Sequence, residues 1–301
     1  MAIRKAAALP SAWTDMAGGW ALATVLSKWA LYVGALGAAG SALCAMVFSL
    51  RMPRMHVIGF TLLAGAAAVM GFLLKGVALA GDASGMVDGE MLSLLWTTQS
   101  GSALRWQLGG SGLLLAGLFL PRIAAIFCLI GSAAVLGAFL VAGHVADHVA
   151  DRDGLLLVVV LFLHLAVAAL WVGILTPLRG LARTPDTHGA AADLGVRFGR
   201  LASIAVPAMI LAGGVMAYAL VDSVNAFFGT GYGRMLMVKL AAVAALLGLA
   251  ALNKLRFVPA LERGDTSAGD KLARSIAWEW GAVLLILLAT ALLTTSLTMP
   301  M

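Results

Sequence analysis

Gly143–Gly173 reads GHVADHVADRDGLLLVVVLFLHLAVAALWVG. Its first eleven residues hold three acidic side chains and two histidines, and the remainder is an apolar run broken only by His164 and Trp171. About 20 consecutive apolar residues make an α-helix long enough to cross about 30 Å of hydrocarbon, so the run from Leu155 onward reads as a membrane span. The acidic and histidine-bearing segment before it reads as the chain's approach to that span.

The rest of the chain repeats this pattern. Of 301 residues, 62% are hydrophobic and 11% charged, with a mean hydropathy of +1.00. Soluble domains are roughly half apolar and a quarter charged. Apolar runs recur with short polar punctuation, and the alternating ten-residue strands of a β-barrel are absent. The expected fold is therefore all-α, a polytopic transmembrane bundle of about eight helices, forming one integral membrane domain over 1–301. The expected spans are 22–50, 57–80, 103–120, 123–143, 155–178, 197–221, 234–252 and 276–297, after an outer tail at 1–21. The apolar island Met91–Trp96 suits the membrane interface. Pro10, Asp15 and two glycines interrupt the apolar core that a cleaved presequence would need, so none is expected.

Lysines and arginines near the span ends set the orientation. The loops after spans one, three, five and seven carry Arg51, Arg54, Arg122, Arg179, Arg183, Lys254, Arg256, Arg263, Lys271 and Arg274; the other loops carry only Arg152, with Arg105 and Arg234 at their edges. The basic side is expected to face the cytoplasm and both termini the periplasm, with Arg4 and Lys5 dissenting. The formal charge of +6 thus belongs to membrane topology and gives no argument for nucleic acid.

Candidate chemistry follows from depth. If Gly143–Asp153 is helical, His144 and His148 stand at i and i+4 and share a face with Asp151. Two imidazoles and a carboxylate suit copper or zinc, while a solvated polar loop is the alternative. Nine residues at about 1.5 Å each put His164 roughly 14 Å below the outer surface. An ionisable group at that depth is a functional candidate, the alternative being a neutral histidine bonded between helices. His144 and His164 are too far apart in depth for one ion unless the outer loop folds inward. Fourteen methionines supply soft ligands that favour Cu(I). Met70 and Met209 fall near the depth of His164, and Met52, Met55 and His56 cluster at the inner end; any of them could equally be packing.

Lys28, Lys75 and Lys239 are close enough to the outer surface for their stems to snorkel. Glu279 is expected about one turn inside the last span, meeting Arg197, Arg200 or Lys254 in a structural role. His188 reads as a bland loop residue, and Cys44 and Cys128 as buried structural thiols. There is no phosphate-binding loop, dinucleotide fingerprint, HExxH or nucleophile triad, so an enzyme is not expected.

Several elements in order carry a resemblance: GH at 143–144, LHLAVAALWVGIL at 163–175, RF at 197–198, GYGRMLMVKL at 231–240, Asn253, and Glu279 with a proline near the C-terminus. In this the chain resembles the copper resistance protein D (CopD) family, over spans four to eight; spans one to three are compatible but carry no distinctive motif. The resemblance implies a bacterial inner-membrane protein that moves copper from periplasm to cytoplasm, beside a separate periplasmic CopC-type copper-binding protein. His144 and His164 fall on the family's motif histidines, whereas His148 rests on spacing alone. The expected path runs from His144, His148 and Asp151 to His164 with Met70 or Met209, then to Met52, Met55 and His56. The oxidation state, Cu(I) or Cu(II), is left open. Two other readings stand beside transport: a b-type haem electron carrier, which needs two axial histidines at matching depth, and an assembly or sensing partner that holds copper without moving it.

Overall fold

The computed structural model describes residues 11–120, 122–142, 152–220 and 231–295. Among them the chain is a bundle of α-helices without strands. Helix α1 is Ser11–Val47, α2 Arg54–Ala80, α3 Gly89–Thr97, α4 Gln99–Phe119, α5 Ala124–Ala142, α6 Arg152–Ala182 and α7 His188–Leu220. Helix α8, Gly231–Leu252, runs through a π-helical turn at Asn253–Phe257 into the short α9, Val258–Glu262, and α10 is Ser267–Leu293. Seven helical stretches among the described residues are long and apolar enough to cross a membrane. The eighth expected span exists as α4, but Arg105, Gln107 and its serines make it too polar to count with them. Its buried polar atoms face inward: Gln107 and Ser111 are both buried.

Helix α1 organises the bundle. Small residues dominate its middle, which lets neighbouring backbones approach closely, as packing between apolar helices in lipid requires. Ala35, Ala38 and Ala42 pack with Ala64 of α2, Leu114 of α4 and Cys128 and Val135 of α5. The opposite side, Leu36, Ala39, Cys44 and Phe48, joins a larger core with Trp171 and Ile174 of α6, Leu194 of α7, and Leu272, Ile276 and Val283 of α10. The tightest crossing is between α1 and α6. A Cβ at Gly40 would lie 1.9 Å from the Ala169 carbonyl oxygen, and one at Gly173 would lie 2.2 Å from the Gly40 carbonyl.

Polar side chains tie the helices together. The Ser27 hydroxyl donates to the Ala67 carbonyl at 2.8 Å, Trp29 Nε1 to Leu284 at 3.0 Å, and Lys28 Nζ to Thr294 at 2.8 Å. Lys75 Nζ reaches the Ser100 hydroxyl at 2.5 Å. Both cysteines are free and buried, and Cys44 Sγ donates to the Leu170 carbonyl at 3.1 Å. The island at Met91–Trp96 is the body of α3, whose first turn is capped by the Asp88 carboxylate accepting from the Glu90 and Met91 amides.

Several helix ends differ from the sequence expectation. Helix α1 begins at Ser11, so the second half of the expected tail is helical. The segment Arg179–Val196 is not a loop: α6 runs to Ala182 and α7 starts at His188. Its alanines are good helix formers, and Ala191, Ala192 and Leu194 are buried. His188 closes the corner, its Nε2 lying 3.1 Å from the Ala182 carbonyl. Helix α7 continues through Pro207. The charged stretch after Leu252 also stays helical, through Glu262. Helix α10 begins nine residues before its expected start, where the Asp265 carboxylate accepts from the Ser267 amide and hydroxyl at 2.9 and 2.7 Å.

Candidate functional site

The polar chemistry of the described residues converges on Glu279. Twelve residues into α10, about 18 Å along the helix axis from Ser267, its side chain is only 3% exposed. Trp171 of α6 donates its indole N–H to Glu279 Oε2 at 3.3 Å. Asn253, the first residue of the π-helical turn, donates from Nδ2 to Glu279 Oε1. The turn widens the helix by one residue per hydrogen-bonded ring, and it keeps the chain helical while Asn253 faces the core at 7% exposure.

Aromatic rings pack around the indole. Phe198 of α7 meets Trp171 edge to face with centroids 5.5 Å apart, and Phe48, just past the end of α1, meets Phe198 at 6.3 Å. The Arg197 guanidinium lies 5.6 Å from the Phe48 ring centroid. A cavity of about 30 Å³ between α6 and α7 touches both Trp171 and Phe198 and is lined wholly by apolar residues.

Two of the expected cationic partners of Glu279 are committed elsewhere. Arg197 pairs with Asp193 at 3.7 Å, and Lys254 Nζ bonds the Ser203 hydroxyl. Arg179 Nε donates to the Ala273 carbonyl at 3.3 Å. Among the described residues no ion pair holds Glu279, so its partners are the neutral Trp171 and Asn253. The sequence contained a signal for this group: all three belong to separate elements of the family resemblance, and all three are polar or amphipathic in apolar surroundings.

The candidate copper residues are spread across the bundle. His144, His148 and Asp151 lie outside the described residues. His164 is half-buried on α6, its Nδ1 buried without a hydrogen-bond partner. Lys239 of α8 lies within electrostatic range of it. Met209 is half-buried on α7, which packs against α6. Met70 is 46% exposed and lines a groove of about 630 Å³ between α2 and α4 with Thr61, Gly65 and Ser111. Met52 packs against the alanine face of α1, whereas Met55, 79% exposed, and His56 stand outside on the first turn of α2. No three His, Cys, Asp or Glu side chains among the described residues cluster closely enough to hold a metal ion.

Fold and site together define a multi-pass α-helical membrane protein whose polar chemistry is enclosed between helices. A family described as Copper resistance protein D matches residues 192–293, and one described as Copper resistance protein D-like, N-terminal domain, matches residues 13–154. The chain belongs to the copper resistance protein D family. The second match takes in α1, α2 and α4, the spans in which the sequence shows no distinctive motif, together with α5. Residues 155–191, which carry His164 and Trp171, fall between the two. No curated protein and no solved structure matches the chain.

Proposed function

We propose that this copper resistance protein acts as a single membrane unit that carries copper from the periplasm to the cytoplasm, without a catalytic step of its own. The observation that supports it most is His164: a buried imidazole nitrogen without a hydrogen-bond partner, well inside a membrane span, in a chain of a copper resistance family. A buried polar atom left unpaired is costly and points to a partner not belonging to the protein. Copper supplies one, because imidazole is among its preferred ligands.

In this reading His144, His148 and Asp151 receive copper at the outer face, from a CopC-type protein of the periplasm. His164 accepts it next. Met209 is the thioether proposed to join it, because α7 packs against α6. Met70 belongs to the groove on α2, and α2 and α6 each pack on α1. Met52, Met55 and His56 form the inner exit. The basic helix ends favour an exit on the cytoplasmic side with both termini in the periplasm, and the bacterial inner membrane as the site of action.

Copper uptake into proteoliposomes reconstituted with the purified chain tests this. Flux is expected to fall at least tenfold in His164→Ala and in His144→Ala. Unchanged flux in both removes the path, and tight copper binding without flux in the unmodified protein replaces transport with copper holding.

A further inference from the structure

Glu279 plays no part in that path, yet it is the most enclosed acidic group among the described residues. We infer that Glu279, Asn253 and Trp171 form a proton-binding site inside the bundle, with the Asn253 amide as the element that changes role between the two states. The inference stands on the geometry of the three side chains and does not depend on copper moving through the protein.

Ionisable residues inside a membrane are costly, and they pair with one another or with backbone groups or mark an ion or proton pathway. Here none of the described cations on the elements packed against α10 bonds to Glu279, and several are held by other groups. From α1, Lys28 caps the Thr294 carbonyl at the far end of α10, where the Tyr32 hydroxyl also lies. From α6, Arg179 takes the Ala273 carbonyl, and His164 stands two turns from Trp171. From α8 and the π-helical turn come Lys239, within range of His164, Lys254, bonded to Ser203, and Arg256; from α9 comes Glu262. On α10 itself Asp270, Lys271 and Arg274 sit in the first two turns. Cys44 of α1 is bonded to Leu170. None of these is a hydrogen-bond or ion-pair partner of Glu279.

The two partners it does have differ in chemistry. Trp171 can only donate, so it serves Oε2 whether the other oxygen is charged or protonated. Asn253 can donate or accept. With Glu279 ionised, Nδ2 donates to Oε1, and Oδ1 is left buried and unpaired. When a proton from water adds to Oε1, the carboxylate becomes a carboxylic acid and that oxygen becomes a donor. A half-turn of the amide about Cβ–Cγ then presents Oδ1 to accept from it. The orphaned oxygen is thus the acceptor that the protonated state needs. Ser275, one turn below Glu279 on the same face of α10, has a buried hydroxyl that is also unpaired and can serve either as donor or as acceptor.

Infrared difference spectroscopy of the full chain in lipid nanodiscs, titrated across the neutral pH range, tests the site. A protonated-carboxyl C=O band should grow as pH falls, shift in D₂O and vanish in Glu279→Gln. Asn253→Leu, which can neither donate to the carboxylate nor accept from the acid, should move the midpoint by about one pH unit or more toward alkaline pH, a gain of about tenfold in proton affinity, because the charge-assisted bond it removes is the stronger of the two. If Glu279→Gln cannot be purified folded, Glu279→Asp makes the assignment by moving the band's frequency. A spectrum without any titrating band that depends on residue 279 overturns the inference. So does a midpoint that follows sodium concentration, which would make the ligand a metal cation.

Discussion

Adding one methyl group at Gly173 should separate α1 from α6. The new Cβ would stand 2.2 Å from the Gly40 carbonyl carbon and oxygen. Ordinary contact begins at 3.4 Å, so the two backbones must part by about 1.2 Å. Neither can yield as a side-chain tip would, because both obstructing atoms are main chain. Overpacking of this kind costs about 1–3 kcal/mol. The damage should be local to this crossing. The hydrogen bond of 3.1 Å from Cys44 Sγ to Leu170, four residues after Gly40 on α1 and three before Gly173 on α6, should break. Cys128, on the α5 side of α1, should stay covered. The assay is thiol labelling in nanodiscs at rising temperature, comparing Cys44 with Cys128 in single-cysteine backgrounds. Gly173→Ala should expose Cys44 at lower temperature and leave Cys128 unchanged. Gly248→Ala is the control: nothing lies within 4 Å of its added Cβ, and alanine favours a helix over glycine by about 1 kcal/mol. Equal protection of Cys44 in Gly173→Ala and the parent would refute the reasoning.

Two further outcomes are expected. Lys239 places a positive charge within range of His164, and like charges repel more strongly in a low dielectric; Lys239→Gln should therefore tighten copper binding by the reconstituted protein, measured by competition with a chromophoric chelator, and weaker binding would separate Lys239 from the site. At the start of α10, the Ser267 hydroxyl holds the exposed Asp265 carboxyl below the ordinary carboxylate range. Its capping contribution is complete above the unfolded pKa and lost as pH falls through the lower folded value. Amide protection factors across the first turn of α10, with the intrinsic exchange rate divided out, should accordingly fall on acidification in the parent and be low at all pH values in Asp265→Ala.

The membrane-spanning character of the chain was legible because a hydrocarbon core about 30 Å thick filters sequence for apolar length. That filter sees only the part of a helix inside lipid. It therefore cut α10 at Ile276, although the helix begins at Ser267, and it read the alanine-rich start of α7 as a loop. The candidate site was legible only in pieces. Trp171, Asn253 and Glu279 each stood out, but Trp171 lies 108 residues and Asn253 26 residues from Glu279. No local periodicity reports contacts over such separations. Charge alone suggested a cationic partner for Glu279; the π-helical turn that brings a neutral amide there leaves no trace in hydropathy.

The position of α1 bears on how the protein is made. One face of it is covered by α2, α4 and α5, and the other by α6, α7 and α10. During synthesis the first face can be covered within one half of the chain, while the second stays against lipid or an insertion factor until much later. Lys28 and Trp29 find their partners, Thr294 and Leu284, only when α10 arrives, 266 and 255 residues further on. Quality control at the membrane would then meet a half-assembled bundle whose edge at Lys28 and Trp29 is open, and a ribosome stalled before α10 would leave that edge as the feature a membrane protease can grasp.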